Sequence, residues 1–128
     1  MQSPVLPDGW PRPSGFSEGI LSQGQRIVWV TGQIGHEGSG PPGTLAAQCR
    51  HALDRIAEIV KAAGGGVEDI AKLGVFVRSI EEYRAAAADV GREFRAVLGR
   101  QYPAITLVET SRLMVDAALV EIDATAVF

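Results

Sequence analysis

Toward the C-terminus the chain alternates strictly between two kinds of residue. Val120, Ile122, Ala124 and Ala126 fall on one face of an extended segment, and Glu121, Asp123, Thr125 and Val127 fall on the other. The pattern predicts a half-buried strand carrying two carboxylates on its second face. Those carboxylates read either as a solvated rim or as part of a wet pocket. Residues 105–110 mix β-branched side chains with one Glu and predict a strand joined to the last one by a turn. Further upstream, residues 27–31 (IVWVT) form a continuous apolar run, which predicts a central strand buried on both faces with Trp29 in the core. Residues 15–21 predict a short strand before it, and SQGQ at 22–25 a turn. Residues 70–77 (IAKLGVFV) predict another strand.

Two stretches carry helical rather than strand spacing. From residue 44 to 63, Leu45, Cys49, Ala52, Leu53, Ile56, Ile59, Val60 and Ala63 recur on one helical face, with Thr44 as N-cap and Gly64 as the stop. A second helix begins at Ser79, whose spacing to Glu82 is that of a capping box. It buries Tyr83, Ala87, Val90, Phe94 and Val97 and ends at Gly99. The order is hairpin, two βαβ units sharing the strand at 70–77, then hairpin, an α/β class. Right-handed crossovers put both helices on one face of the sheet. The other, partly apolar face then has no cover within the chain, which predicts an oligomer packed sheet to sheet.

A chain of 128 residues suits one domain. Residues 1–14 hold four of the seven prolines and predict an extended lead-in, so the domain is expected over 15–128. The net charge of −3 and the scatter of the basic residues argue against a nucleic-acid surface, and no nucleic-acid partner is expected. The proline-broken N-terminal segment has the pattern of neither a signal peptide nor a spanning helix, so a cytoplasmic protein without membrane association is expected. The single cysteine, Cys49, forms no internal disulfide, in keeping with a reducing compartment.

Most candidate chemistry is weak. Gly64, Gly65 and Gly66 follow a helix instead of preceding one, the wrong polarity for a phosphate loop. His36 and Glu37 are adjacent and His51 lies elsewhere, so no metal site is expected. Cys49 sits on an apolar stripe, where a small buried hydrophobe is the first reading and a nucleophile the second. Ser39 lies between glycines but not in a strand-to-helix elbow. Trp10 and Trp29 are too far apart in the chain to make a stacking platform. Thr31, Gly32 and Gln33 have a stronger claim. They leave the C-terminal end of a strand, glycine admits a ligand to the backbone, and the amide both donates and accepts.

The ordered set VWVTGQIG, QCRHALDRIAEIVKAAGGGVEDIAKLGVFV, EEYRAAAADVGREF and PAITLVETSRL followed by VEIDATAV resembles the Rid (YjgF, endoribonuclease L-PSP-like) family from about Gly15 onward. The resemblance implies a chorismate-mutase-like α/β fold, a mixed six-stranded sheet with two helices on one face, assembled as a homotrimer with pockets between subunits. It implies an imine or enamine deaminase that adds water to C=N and releases ammonia without metal or organic cofactor. Glu121 matches the carboxylate that positions the attacking water, Gly32 and Gln33 match a pocket-lining segment, and Thr31 stands where the family has Ser. Glu109 and Arg112 match a further pattern, as site residues or as strand and interface residues.

Three departures alter what the pocket takes. Ile105 replaces the Arg that clamps a substrate carboxylate, Phe16 replaces a Tyr, and an alanine run near Ala87 and Ala88 replaces an Asn. Thr106 keeps a hydroxyl where the family has Ser. A lost hydrogen bond to a charged group costs about 1.5–3 kcal/mol, so substrates less dependent on a carboxylate are expected. One carboxylate serves as base and then acid, more readily near neutral pH if Ile105 and Phe16 form an apolar wall beside it. The alternatives are a non-catalytic small-molecule-binding or regulatory trimer and, more weakly, an endoribonuclease.

Overall fold

The computed structural model describes residues 1–35 and 43–128. His36, Glu37 and Ser39 lie outside the described residues. The strands are β1 (Gln2–Val5), β2 (Gly19–Ser22), β3 (Ile27–Ile34), β4 (Ile70–Val77), β5 (Ala104–Glu109) and β6 (Val120–Val127). The helices are α1 (Leu45–Ala62), α2 (Ile80–Ala85) and α3 (Ala87–Leu98), with a 3₁₀ turn at Val67–Asp69.

The helices form where the spacing predicts. Thr44 Oγ1 accepts from the Ala47 amide at 3.1 Å, satisfying one of the free donors of the first turn of α1. Gly64, at φ 100°, lets the chain leave the helix in a conformation that side chains resist. Leu45, Cys49, Ala52, Leu53, Ile56 and Val60 are the buried stripe of α1. The second helix is two: Ser79 caps α2 through the Glu82 amide, and Ala86 breaks the run before α3. Glu109 Oε1 accepts from the Ile80 amide at 3.1 Å, so this carboxylate ties the end of β5 to the start of α2.

The strands correct the expectation in three places. The six strands make two sheets, an antiparallel β1-β2 ribbon and a four-stranded sheet in the order β3-β6-β4-β5. A single bridge, Ser17 to Ala104, continues the N-terminal segment beside β5. β5 and β6 are not a hairpin: β4 lies between them, parallel to β5 and antiparallel to β6. β6 also pairs antiparallel with β3, so the last strand enters between the two strands joined by α1, while β4 and β5 are direct neighbours.

β3 is therefore an edge strand, and Trp29 is 76% exposed instead of lying in the core. The run IVWVT is apolar on both sides because one side meets the helices and the other lies on the sheet face that they leave uncovered. Val30 is buried, whereas Ile27 and Trp29 are exposed. The N-terminal segment is more than a lead-in. β1 pairs with β2 along its length, and Gln2 Nε2 donates to the carbonyls of Val127 and Asp69 at 2.7 and 3.1 Å.

The core fills the space between α1, α3 and one face of the sheet, where Leu73, Val75, Val77, Val120, Ile122, Ala124 and Ala126 point inward. One polar side chain joins it. Gln48 is 1% exposed; its Oε1 accepts from the Leu119 amide at 2.7 Å and its Nε2 donates to the Ala117 carbonyl at 3.4 Å. Its amide fastens α1 to the loop that delivers β6 and satisfies backbone groups that burial would otherwise leave unpaired.

Candidate functional site

On the uncovered face, β6 presents Glu121, Asp123 and Thr125 opposite Phe76, Gly74 and Lys72 of β4. Two glycines make room for the two carboxylates. A Cβ on Gly74 would lie 2.4 Å from Asp123 Oδ1, and that oxygen accepts from the Gly74 amide at 2.9 Å. A Cβ on Gly32 would lie 2.0 Å from Glu121 Oε1. Neither glycine has positive φ, so the requirement is for space and not for an unusual backbone. Asp123 is committed to the backbone. No described residue donates a hydrogen bond to Glu121, which stands against the bare backbone of Gly32 with its carboxylate available.

Gly32 reaches this face through an irregularity that periodicity alone does not reveal. Val30 pairs with Ala124 and Gln33 with Ile122, so Thr31 and Gly32 together stand opposite Asp123. This bulge shifts the alternation by one residue. Without it Gly32 would face the helices and Gln33 the open face; with it Gln33 is 6% exposed on the helix side. There its Oε1 accepts from Arg55 Nε at 2.8 Å and its Nε2 donates to the Thr31 carbonyl at 3.1 Å, bracing the bulge from behind. Thr31 is exposed beside Gly32. Thr106 is on the open face of β5, and its Oγ1 accepts from Lys72 Nζ at 2.7 Å. The sequence reading had not singled out Lys72.

Phe16 and Ile105 lie elsewhere. Ile105 pairs with Leu73, and its side chain projects to the helix side of β5. With Phe16, Tyr83, Ala87, Phe94 and Leu107 it lines a cavity of about 360 Å³ between the N-terminal segment, α2, α3 and β5. Within one chain the apolar wall expected beside Glu121 is thus on the opposite side of the sheet from it. The predicted residues separate: Thr31, Gly32, Glu121 and Thr106 are on the open face, Phe16 and Ile105 are in the cavity, and Gln33 is apart from both, on the helix side against Arg55.

Cys49 is 1% exposed. Burial first, and then the nearby Glu93 carboxylate, push its thiol up to about 12 from 9.0. The thiol is protonated at neutral pH, which disfavours the nucleophile reading. The folded protein holds this proton where the unfolded chain releases it. Stability is therefore fully present below pH 9 and is lost as pH rises from 9 toward 12. This one group lowers stability by at most about 1.4 kcal/mol per pH unit in that window. Cys49 is expected to resist dithionitrobenzoate in the folded protein at pH 8 and to react once urea unfolds it. Rapid labelling without denaturant contradicts the assignment.

Arg112 Nη2 lies 3.3 Å from Asp116 Oδ1 in the exposed loop before β6, an ion pair worth little by itself. Among the described residues no three His, Cys, Asp or Glu side chains gather as a metal site, and no helix is long and apolar enough to cross a membrane.

The architecture has counterparts among known proteins. The YyfB protein of the Rid family from Yersinia pestis superposes with a TM-score of 0.83 at 24% identity, covering 99% of this chain and 98% of that one, a likeness of fold. The YjgF gene product of Escherichia coli superposes with a TM-score of 0.70 at 30% identity over 98% of both chains. A RutC family protein of Haemophilus influenzae is 36% identical over 109 residues, 84% of this chain and 78% of that protein. A 2-iminobutanoate/2-iminopropanoate deaminase of Escherichia coli K12 is 38% identical over 86 residues, 67% of this chain and 66% of that protein. The family model described as Endoribonuclease L-PSP matches residues 12–128, nearly the full length, and with the shared fold and these relatives it places the chain in the Rid (YjgF) family.

Proposed function

We propose that this protein is a cytoplasmic imine or enamine deaminase that works as a homotrimer, with Glu121 handling the water and with pockets completed between subunits. The observation that carries the reading is the Glu121 carboxylate held over Gly32, where a single added carbon would displace it. The similarity to a 2-iminobutanoate/2-iminopropanoate deaminase supports the reaction class. The separation of Glu121 from the Phe16 and Ile105 cavity supports assembly, since one chain cannot bring both to one substrate. An open sheet face bearing Trp29 and Ile27 is the surface on which a second copy closes the site.

In the proposed reaction Glu121 takes a proton from water as the oxygen attacks the imine carbon, and the C=N π pair moves to nitrogen. The carboxyl group then gives its proton to that nitrogen. That leaves the carbinolamine and the carboxylate. The carboxylate then takes the hydroxyl proton and passes it to the amino nitrogen as the C–N bond breaks and the oxygen pair forms the carbonyl, so that ammonia leaves and Glu121 ends as carboxylate. An enamine enters the same path after protonation at carbon. Asp123, already bonded to the Gly74 amide, shapes the face but takes no part in the transfer.

The apolar character around Ile105 also gives weight to a non-catalytic ligand-binding trimer. The two readings part in one assay. Ammonia release from freshly generated 2-iminobutanoate, above the spontaneous rate and scaling with protein, is the expected result. Sedimentation equilibrium is expected to give a trimer mass. A trimer that binds small molecules but never accelerates ammonia release leaves the binding-only reading standing.

A further inference from the structure

The cavity at Ile105 contains neither Lys nor Arg among its lining residues. A second cavity of about 440 Å³ abuts it, and the two share Ser14, Gly15 and Phe16 as a common wall. The second is lined by Arg12, Glu18 and Tyr102 together with the apolar side chains of Val5 and Leu6. Both volumes fall in the range of small-molecule pockets, about 300–1,000 Å³.

The shared wall is anchored. Gly15 turns the chain at φ 84°. Immediately after it, the Ser17 amide donates to the Pro103 carbonyl at 3.2 Å and Ser17 Oγ donates to the Tyr102 carbonyl at 2.5 Å. Phe16 is thereby held beside the start of β5, where Ser17 bridges to Ala104. Arg12 stands four residues ahead of Phe16 on the same segment, and no described carboxylate is within ion-pair distance of it. Glu18, in the same cavity, is the one acidic side chain lining it and opposes an anion there.

We infer that Arg12 is the anion-holding residue of this pocket. The two adjoining cavities take a small carboxylic acid with an apolar body, its hydrocarbon part against Phe16 and Ile105 and its carboxylate at the Arg12 guanidinium. The inference rests on the reading of the Ile105 cavity as the substrate pocket. It deepens that reading by placing the recognised charge several bonds away from the reacting carbon instead of next to it. A planar guanidinium pairs with both carboxylate oxygens. The segment before residue 15 then acts in specificity.

The test is calorimetric titration of the full chain with 3-phenylpropanoate and with its neutral counterpart 3-phenylpropanamide. The acid is expected to bind about tenfold more tightly than the amide at low salt, and the preference to shrink as salt is raised. Arg12→Gln is expected to erase the preference, with an unchanged melting temperature showing that the variant is folded, and Arg12→Lys to keep part of it. An acid preference that survives Arg12→Gln overturns the assignment, as does the absence of any preference or of any binding. Because binding is read without turnover, the result is separable from the deaminase proposal. Acid-selective binding without ammonia release keeps Arg12 and removes the reaction, and ammonia release without acid selectivity does the reverse.

Discussion

Glu121→Gln is expected to lower ammonia release from 2-iminobutanoate by about 10²- to 10⁴-fold, the usual contribution of a positioned acid/base group, with the sedimentation mass and melting temperature close to those of the unaltered protein. Gln keeps the shape and a hydrogen-bonding oxygen but cannot accept the proton that attacking water must lose. Stability should hold because Glu121 lies on the uncovered face and no described residue donates to it. Gly32→Ala gives an independent check. The added Cβ would sit 2.0 Å from Glu121 Oε1, so the carboxylate must swing away while remaining ionisable. If position matters as well as charge, Gly32→Ala loses most of the activity too. Asp123→Asn serves as the control, since the Asp123 carboxylate is occupied by the Gly74 amide. Equal losses for Glu121→Gln and Asp123→Asn would deny Glu121 its special role.

What was legible in the sequence follows the range of the forces involved. α1 was legible down to its caps because Thr44, the apolar stripe and Gly64 act within a few residues of one another. The alternation of β6 was legible for the same reason, and the structure confirms that Val120, Ile122, Ala124 and Ala126 are buried. Which strands pair with β6 was not, because insertion between β3 and β4 depends on partners some fifty and ninety residues away. The misplacement of Trp29 has a related cause: an apolar run reads the same whether its second side meets a core or an uncovered sheet face. Gln33 was misdirected by a bulge that leaves no mark in the period of the residues around it. Gln48 was passed over because a polar residue on a helix reads as solvated, and its burial becomes visible only once the loop at 117–119 is folded against it. Phe16 and Ile105 stand on the opposite face of the sheet from Glu121, and the pattern of a single chain does not say which residues a second copy would bring together.

Ile105→Arg is the substitution expected to gain function. Ile105 is half-buried on the helix side of β5, next to Phe16, with the apolar surfaces of Leu107 and Phe94 nearby. The methylenes of an Arg can follow that apolar wall while its guanidinium stays at the open mouth, so the full penalty of an isolated buried charge is avoided. A bidentate contact to an α-carboxylate is then worth about 1.5–3 kcal/mol, about ten- to 150-fold in kcat/KM for 2-iminopropanoate. The gain should be largest in KM if the new contact holds the substrate equally in the ground and transition states. Arg12, assigned to a charge several bonds from the reacting carbon, should contribute little to this gain. No gain in Ile105→Arg, with the fold intact, would mean that the cavity does not face the reacting carbon, and the substrate pocket would have to be sought along the open face instead. A gain that requires Glu121 ties the cavity of one subunit to the carboxylate of another. Mixed trimers can show this directly: subunits carrying both Glu121→Gln and Ile105→Arg should be inactive alone, and combined with unaltered subunits they should recover activity in the pockets where the unaltered subunit's Glu121 meets the new Arg.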